Sequence, residues 1–217
     1  MTPRRAPRLL PLSNPRSRAF REAYAIYEAT IPKAERKTRR QLLAALRKPA
    51  FRFWAFEVDG RIAGFASLYA SGALNLVLLE YLAIAPAFQG RGLGSALFEV
   101  AVAASRFDRR TRVLVEVDSE REKTSAAERR LRLGRKQFYR RLSCREIEGI
   151  EYLLPLETYG PAPRMNLLVR SADKAALPAT WLAQALTDIY VNVYGQAPDD
   201  PRLARMMAGQ GPRLVLK

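Results

Sequence analysis

Tyr81-Leu-Ala-Ile-Ala-Pro-Ala-Phe-Gln-Gly-Arg-Gly-Leu-Gly94 carries an apolar, strand-like run past a proline into a glycine-rich loop with one arginine. The loop opens onto an amphipathic helix expected over Ser95–Phe107. Glycines let backbone N–H groups approach a ligand closely, and a helix N-terminus concentrates unpaired donors and positive dipole. Such a device suits a phosphate, above all a pyrophosphate. Two nucleotide motifs are excluded. A dinucleotide fingerprint needs Gly-x-Gly-x-x-Gly tight against its strand, whereas here the order is Gly90-x-Gly92-x-Gly94, set off from the strand by Pro86. A P-loop ends in Gly-Lys-Ser/Thr, and Gly94-Ser95-Ala96 has no lysine.

Working outward, Arg8–Ser13 reads as a first strand, followed by helical segments over Ser17–Thr30 and Ala34–Arg47. Phe20, Tyr24 and Tyr27 recur at helical spacing and read as core. Phe51–Val58 and Arg61–Tyr69 alternate as strands joined by Asp59-Gly60, a strong hairpin signal. Ala73–Ala85 is a third strand, with the Leu/Val content of burial on both faces. Beyond the loop and its helix come a strand at Arg112–Asp118, a basic helix at Ala126–Leu142, and strands at Arg145–Leu154 and Arg164–Arg170. The last two are separated by a connection containing Tyr159-Gly-Pro-Ala-Pro163. After Arg170 the pattern becomes helical, at Pro178–Tyr194 and Pro201–Ala208, with a tail strand at Arg213–Lys217.

The 217 residues carry 37 Lys and Arg against 21 acids, a net charge of +16 with no histidine. Residues 1–48 and 120–145 hold most of it. Nucleic acid, an anionic surface or an acidic substrate would each suit such clusters. Nucleic-acid binding is nevertheless a secondary reading, because no zinc finger, RNP-like strand or Lys/Arg-Gly repeat is present. Cys144 is the only cysteine, so neither an internal disulfide nor a cysteine-based metal site is expected, and no metal is assigned. The N-terminal segment lacks the apolar stretch of a signal peptide, and no apolar run approaches a membrane span. A cytoplasmic protein without a membrane partner is expected.

Gln89-Gly90-Arg91-Gly92-Leu93-Gly94 resembles the Gln/Arg-x-x-Gly-x-Gly/Ala signature of the GCN5-related N-acetyltransferases (GNAT). Leu82-Ala83-Ile84-Ala85-Pro86 is similar to the strand and x-Val/Ile-x-Pro element that precedes it there. The order β-α-α-β-β-β-α-β-α-β-β also agrees. The resemblance implies the α/β (α+β) acyl-CoA N-acyltransferase fold, a mixed, mainly antiparallel sheet flanked by helices. It covers residues 1–170 as an N-acetyltransferase domain. Residues 171–217 form a C-terminal helical appendage that could pack on the core, shape the acceptor cleft or form a homodimer contact.

The family's chemistry sets the expected roles. Acetyl transfer from a thioester to an amine needs a neutral nucleophile, a polarised carbonyl and a protonated leaving thiolate, so positioning, fixed donors and proton transfer carry it. By resemblance, acetyl-CoA is the co-substrate. Its pyrophosphate falls to Gln89, Gly90, Arg91, Gly92, Leu93, Gly94 and Ser95, and its pantetheine arm to the backbone of Leu82, Ala83 and Ile84. Glu80 is the one carboxylate in Leu76-Val-Leu-Leu-Glu-Tyr-Leu, and a charge in such a strand is costly unless paired or functional. Alternation puts it on one face with Leu78, Leu82 and Ile84. It is read as the general base or amine anchor, with an arginine ion pair as the structural alternative and Glu116 and Asp118 as other candidate bases. Phe138-Tyr139-Arg-Arg-Leu142 resembles the family's Phe-Tyr-x-x-Leu-Gly-Phe element, which makes Tyr139 the candidate acid. Ser143-Cys144 stands where Gly-Phe is expected, and no asparagine lies on this helix to hold the pantetheine. Cys144, with no histidine to activate it, reads as a buried structural thiol. The acceptor is a primary amine on an unidentified small molecule or peptide. The alternative is a catalytically silent member of the fold, binding CoA or associated with nucleic acid.

Overall fold

A computed structural model describes residues 6–155, 164–173 and 175–217, apart from the Ala34 side chain. By contact, the chain separates into two compact units, Met1–Ala70 with Leu79–Arg106, and Ser71–Leu78 with Phe107–Lys217.

The first unit begins with β1 (Arg8–Pro11), α1 (Arg18–Thr30) and α2 (Arg39–Ala45). Ser17 caps α1 by accepting the Phe20 N–H at 3.1 Å. Thr38 and Gln41 form a reciprocal capping box at the start of α2. That box explains why α2 is shorter than expected: Lys33–Glu35 is a separate 3₁₀ turn, and Arg36–Thr38 is extended lead-in. β2 (Phe51–Val58) and β3 (Arg61–Ser71) form the expected hairpin, with β1 antiparallel on the other edge of β2. Asp59 and Gly60 both have positive φ, 49° and 76°, as a two-residue turn matched to strand twist requires. β4 (Leu76–Ile84) continues toward the glycine loop, and α3 (Leu93–Ser105) follows it. Phe20, Ala23, Ile26 and Tyr27 of α1 and Leu42 of α2 bury against Ala55, Phe65 and Ala83 of the strands. The aromatic stripe of α1 is therefore core, as its spacing implied.

In the second unit, β5 (Arg112–Asp118) pairs antiparallel with β8 (Arg164–Arg170) over its whole length, from Val113↔Arg170 to Asp118↔Met165. α4 (Ala126–Arg141) is capped by Ser125. The expected strand Arg145–Leu154 is two short ones, β6 (Arg145–Glu146) and β7 (Tyr152–Leu153), each antiparallel to β8. Gly149, at φ 78°, turns the chain between them. The connection Tyr159–Pro163 lies outside the described residues. β9 (Ala176–Pro178), which the sequence reading missed, pairs with the tail strand β10 (Arg213–Val215).

The C-terminal helices α5 (Ala179–Asn192) and α6 (Pro201–Met207) pack as part of this unit's core. α5 buries Trp181, Leu182, Ala185, Leu186, Ile189 and Tyr190. Its start is pinned by the Trp181 indole N–H, which donates to the Leu74 carbonyl at 2.9 Å, and by the Arg112 guanidinium 4.7 Å over the indole. Farther along, the Tyr190 hydroxyl donates to the Leu153 carbonyl.

Candidate active site

The glycine loop is built for close backbone approach. Gly90 and Gly92 sit at φ 74° and 73°, the left-handed region that other residues adopt at a cost. A Cβ placed on either would meet no atom within 4 Å, so the space over the loop is open. α3 begins two residues earlier than expected, with Gly92 as its N-cap and no side chain accepting from its first turn. The N–H groups of Leu93, Gly94 and Ser95 thus belong to the helix N-terminus itself, where orphan donors and dipole coincide. No acid stands in that turn to compete with an anion. This donor set fits a pyrophosphate.

The loop's side chains divide their work. Arg91 is exposed, with its guanidinium 5.7 Å over the Phe88 ring, and Arg61 lies 5.2 Å from the same ring. Gln89 turns back instead, donating its side-chain amide to the Ile84 carbonyl at 3.0 Å. It ties the loop to the end of β4, which also bonds to β3 through the Ala85 N–H and the Ala63 carbonyl at 2.8 Å. Gly64 permits that close approach. A Cβ there would lie 2.5 Å from the Ala83 carbonyl oxygen and 2.6 Å from the Ile84 side chain. The isolated glycine inside an alternating strand was a legible sign of such an approach, and the sequence reading passed over it.

Glu80 is 4% exposed at its side chain and is doubly held. One oxygen pairs with the Lys37 ammonium, and the other accepts the Ser67 hydroxyl at 2.9 Å. The structural alternative of an arginine partner is therefore corrected: the partner is a lysine, from the lead-in to α2. Lys37 is itself 9% exposed, with its Nζ 5.1 Å over the Phe51 ring. The next residue reaches the same segment. Tyr81 donates its hydroxyl to the Glu35 carbonyl at 2.9 Å, and Tyr27 donates to the Lys37 carbonyl at 3.1 Å.

These contacts overturn strict alternation along β4. Ser67 and Phe65 share one face of β3. Glu80 bonds to Ser67, while Tyr81 packs edge-on at 5.2 Å against Tyr27, whose ring in turn meets Phe65. Consecutive residues Glu80 and Tyr81 thus project to the same side, as happens where an extra residue breaks a ladder. Burial raises both phenols, Tyr27 to about 12 and Tyr81 further still, so both hydroxyls stay protonated donors. Beside Ser67 lies a pocket walled by Phe20, Tyr24, Tyr27, Phe53, Phe65 and Tyr81.

The second unit holds the other candidates. Tyr139 lies on α4, buried, and that burial pushes its phenol well above its ordinary value. Cys144, also buried, follows just after the helix. Glu116 accepts hydroxyls from Tyr152 at 2.5 Å and Tyr194 at 2.6 Å, so it anchors β7 and the end of the C-terminal helix to β5. Asp118 pairs with Arg135 of α4. Both acids have structural duties of a kind that Glu80 shares. Among the described residues, no group of three or more acids or cysteines is placed to hold a metal ion, and no helix is long and apolar enough to cross a membrane.

Comparison with known proteins agrees with this geometry. The family model for the acetyltransferase (GNAT) family matches residues 17–130, just over half of the chain. The chain belongs to the GNAT family. The match spans α1 to the start of α4, and so includes Glu80 and the glycine loop but stops short of Tyr139. A mycothiol acetyltransferase of Nocardia farcinica (strain IFM 10152) is 36% identical over 134 residues, 59% of this chain and 43% of that protein. The chain thus spans less than half the length of that relative. Among solved structures, one from Bacteroides thetaiotaomicron assigned to the GNAT family has a TM-score of 0.71 at 18% identity, covering 88% of this chain and 99% of its own. A GNAT acetyltransferase from Elizabethkingia anophelis with acetyl-CoA bound has a TM-score of 0.52 at 13% identity, covering 76% and 97%. At such identities these likenesses establish the GNAT acyltransferase fold, a mixed sheet flanked by helices.

Proposed function

We propose that this GNAT protein is an acetyl-CoA-dependent N-acetyltransferase that passes the acetyl group to a primary amine by direct attack in a ternary complex. The observation that carries the reading is the Gly90–Gly94 loop, where left-handed Gly90 and Gly92 have open space in place of a side chain and the helix N-terminus has no side-chain cap. The bound acetyl-CoA of the Elizabethkingia neighbour and the name of the Nocardia relative support the donor and the reaction.

In this reading Gly90, Arg91, Gly92, Leu93, Gly94 and Ser95 receive the pyrophosphate. Gln89 serves the site by holding the loop to β4, and the backbone of Leu82, Ala83 and Ile84 runs beside the pantetheine arm. Glu80 takes the proton of the acceptor amine, and Tyr139 returns one to the leaving thiolate. The acceptor in this reading is a primary amine on a small molecule or a peptide. Residues 1–170 form the transferase domain and residues 171–217 its extension, which builds the core of the second unit. A cytoplasmic location and a homodimer contact through the extension complete the reading.

A second reading is a silent CoA-binding module. It is favoured by the Lys37–Glu80 pair, which already engages the base. Two measurements separate them. Acetyl-CoA at 100 times its Kd should raise stability by about 2.7 kcal/mol in either case. Release of free CoA thiol on adding a panel of primary amines is expected of the enzyme alone. Absence of acetyl-CoA binding would sink both readings.

A further inference from the structure

We propose that Lys37 is an acyl-acceptor site within this chain, acetylated at Nζ by the chain's own centre. The inference rests on Glu80 being the base of the proposed acetyl transfer. If Glu80 accepts protons from amines, the amine the structure places on it is that of Lys37. The arrangement is more specific than a surface pair. The second carboxylate oxygen is occupied by Ser67, which leaves the first turned to Lys37. The backbone around Lys37 is held from both sides by the Tyr27 and Tyr81 hydroxyls, on the carbonyls of Lys37 and Glu35. The Phe51 ring covers the ammonium and limits water. Glu80 lies on the same strand as Leu82–Ile84, β4, whose backbone the proposed function assigns to the pantetheine arm.

The step balances without any further reactant. Glu80 takes one proton from the Lys37 ammonium, giving a neutral amine. The Nζ lone pair forms the C–N bond to the acetyl carbon as the C–S bond breaks, and the second proton passes to the departing CoA thiolate. Acetyl-lysine carries no charge, so the product removes the cation from Glu80 and dissolves the ion pair. Attack inside the pair shields this nucleophile from competing amines, as proximity does in general.

The test uses the full chain with acetyl-CoA labelled in its acetyl group, no added amine, and peptide mass spectrometry over time. Lys33, Lys48, Lys123 and Lys217 are exposed, so spontaneous acetylation would label them ahead of Lys37. The proposal expects the reverse order: label at Lys37 approaching one per chain, at a rate independent of protein concentration, with a lowered melting temperature in the labelled protein. Heat-unfolded protein should lose the preference. Glu80→Gln, checked for folding by circular dichroism and for acetyl-CoA binding, should label Lys37 at least tenfold more slowly. Lys37→Arg should carry no label in that peptide. An unlabelled Lys37 in protein that binds acetyl-CoA and acetylates added amines overturns this proposal and leaves the transferase reading standing. Absence of both binding and transfer overturns the two together. Labelling that scales with protein concentration, or is equal in Glu80→Gln, also overturns it.

Discussion

Removing Lys37 from Glu80 should be among the most damaging single changes in the first unit. The two side chains are only 9% and 4% exposed, so neither charge can recover its hydration when the partner goes. Breaking a buried pair by deleting one member costs about 3–5 kcal/mol, because the other charge stays buried and uncompensated. Lys37→Met would leave the Glu80 carboxylate with the Ser67 hydroxyl, and Glu80→Gln would leave the Lys37 ammonium facing a neutral amide over Phe51. For a chain of this length, about 3 kcal/mol corresponds to a fall of roughly 6–12 °C in melting temperature. The double variant Lys37→Met/Glu80→Gln has no buried charge and keeps an acceptor for Ser67. It should therefore be less destabilised than the sum of the singles, with a coupling of about 2–3 kcal/mol. Urea unfolding of the four proteins, followed by circular dichroism, gives the cycle directly. Single losses below about 1 kcal/mol, or strict additivity in the double, would refute a buried and mutually dependent pair.

Three further outcomes follow from the same geometry. Gly92→Val forces a β-branched residue to φ 73° over the open side of the loop, so it should abolish acetyl-CoA binding by calorimetry; unchanged affinity would remove the loop from the site. Tyr139→Phe should lower kcat by up to about 100-fold while KM for acetyl-CoA holds, since only the proton donor is lost. Burial raises that phenol, so it remains protonated through the alkaline range; an alkaline fall in rate that vanishes in Tyr139→Phe would contradict this. Tyr194→Phe deletes one of the hydroxyls on Glu116 and should cost about 1–3 kcal/mol in urea unfolding with acetyl-CoA affinity unchanged, whereas a specific loss of kcat would assign Glu116 to the chemistry.

The glycine loop, the hairpin at Asp59-Gly60 and the order of strands and helices were legible along the chain because each depends on local rules. These are residues that tolerate positive φ, two-residue turns and the period of burial. The helix after the loop was placed two residues late because a glycine N-cap leaves no Ser or Asp to mark it. Glu80 could be singled out as an odd charge in an apolar strand. Its partner could not, since Lys37 lies 43 positions away and is one of many cations. The same holds for Glu116, whose tyrosines come from a distant strand and from just beyond α5, and for β9, which exists by pairing with a tail strand 35 residues on.

Local chemistry thus names the family and marks the glycine loop before any folding is considered. Which face Glu80 takes, which amine neutralises it, and that residues 171–217 build a core were decided by packing. Those outcomes depend on groups far apart in sequence meeting where water is excluded, where a charge must find a partner or cost several kcal/mol.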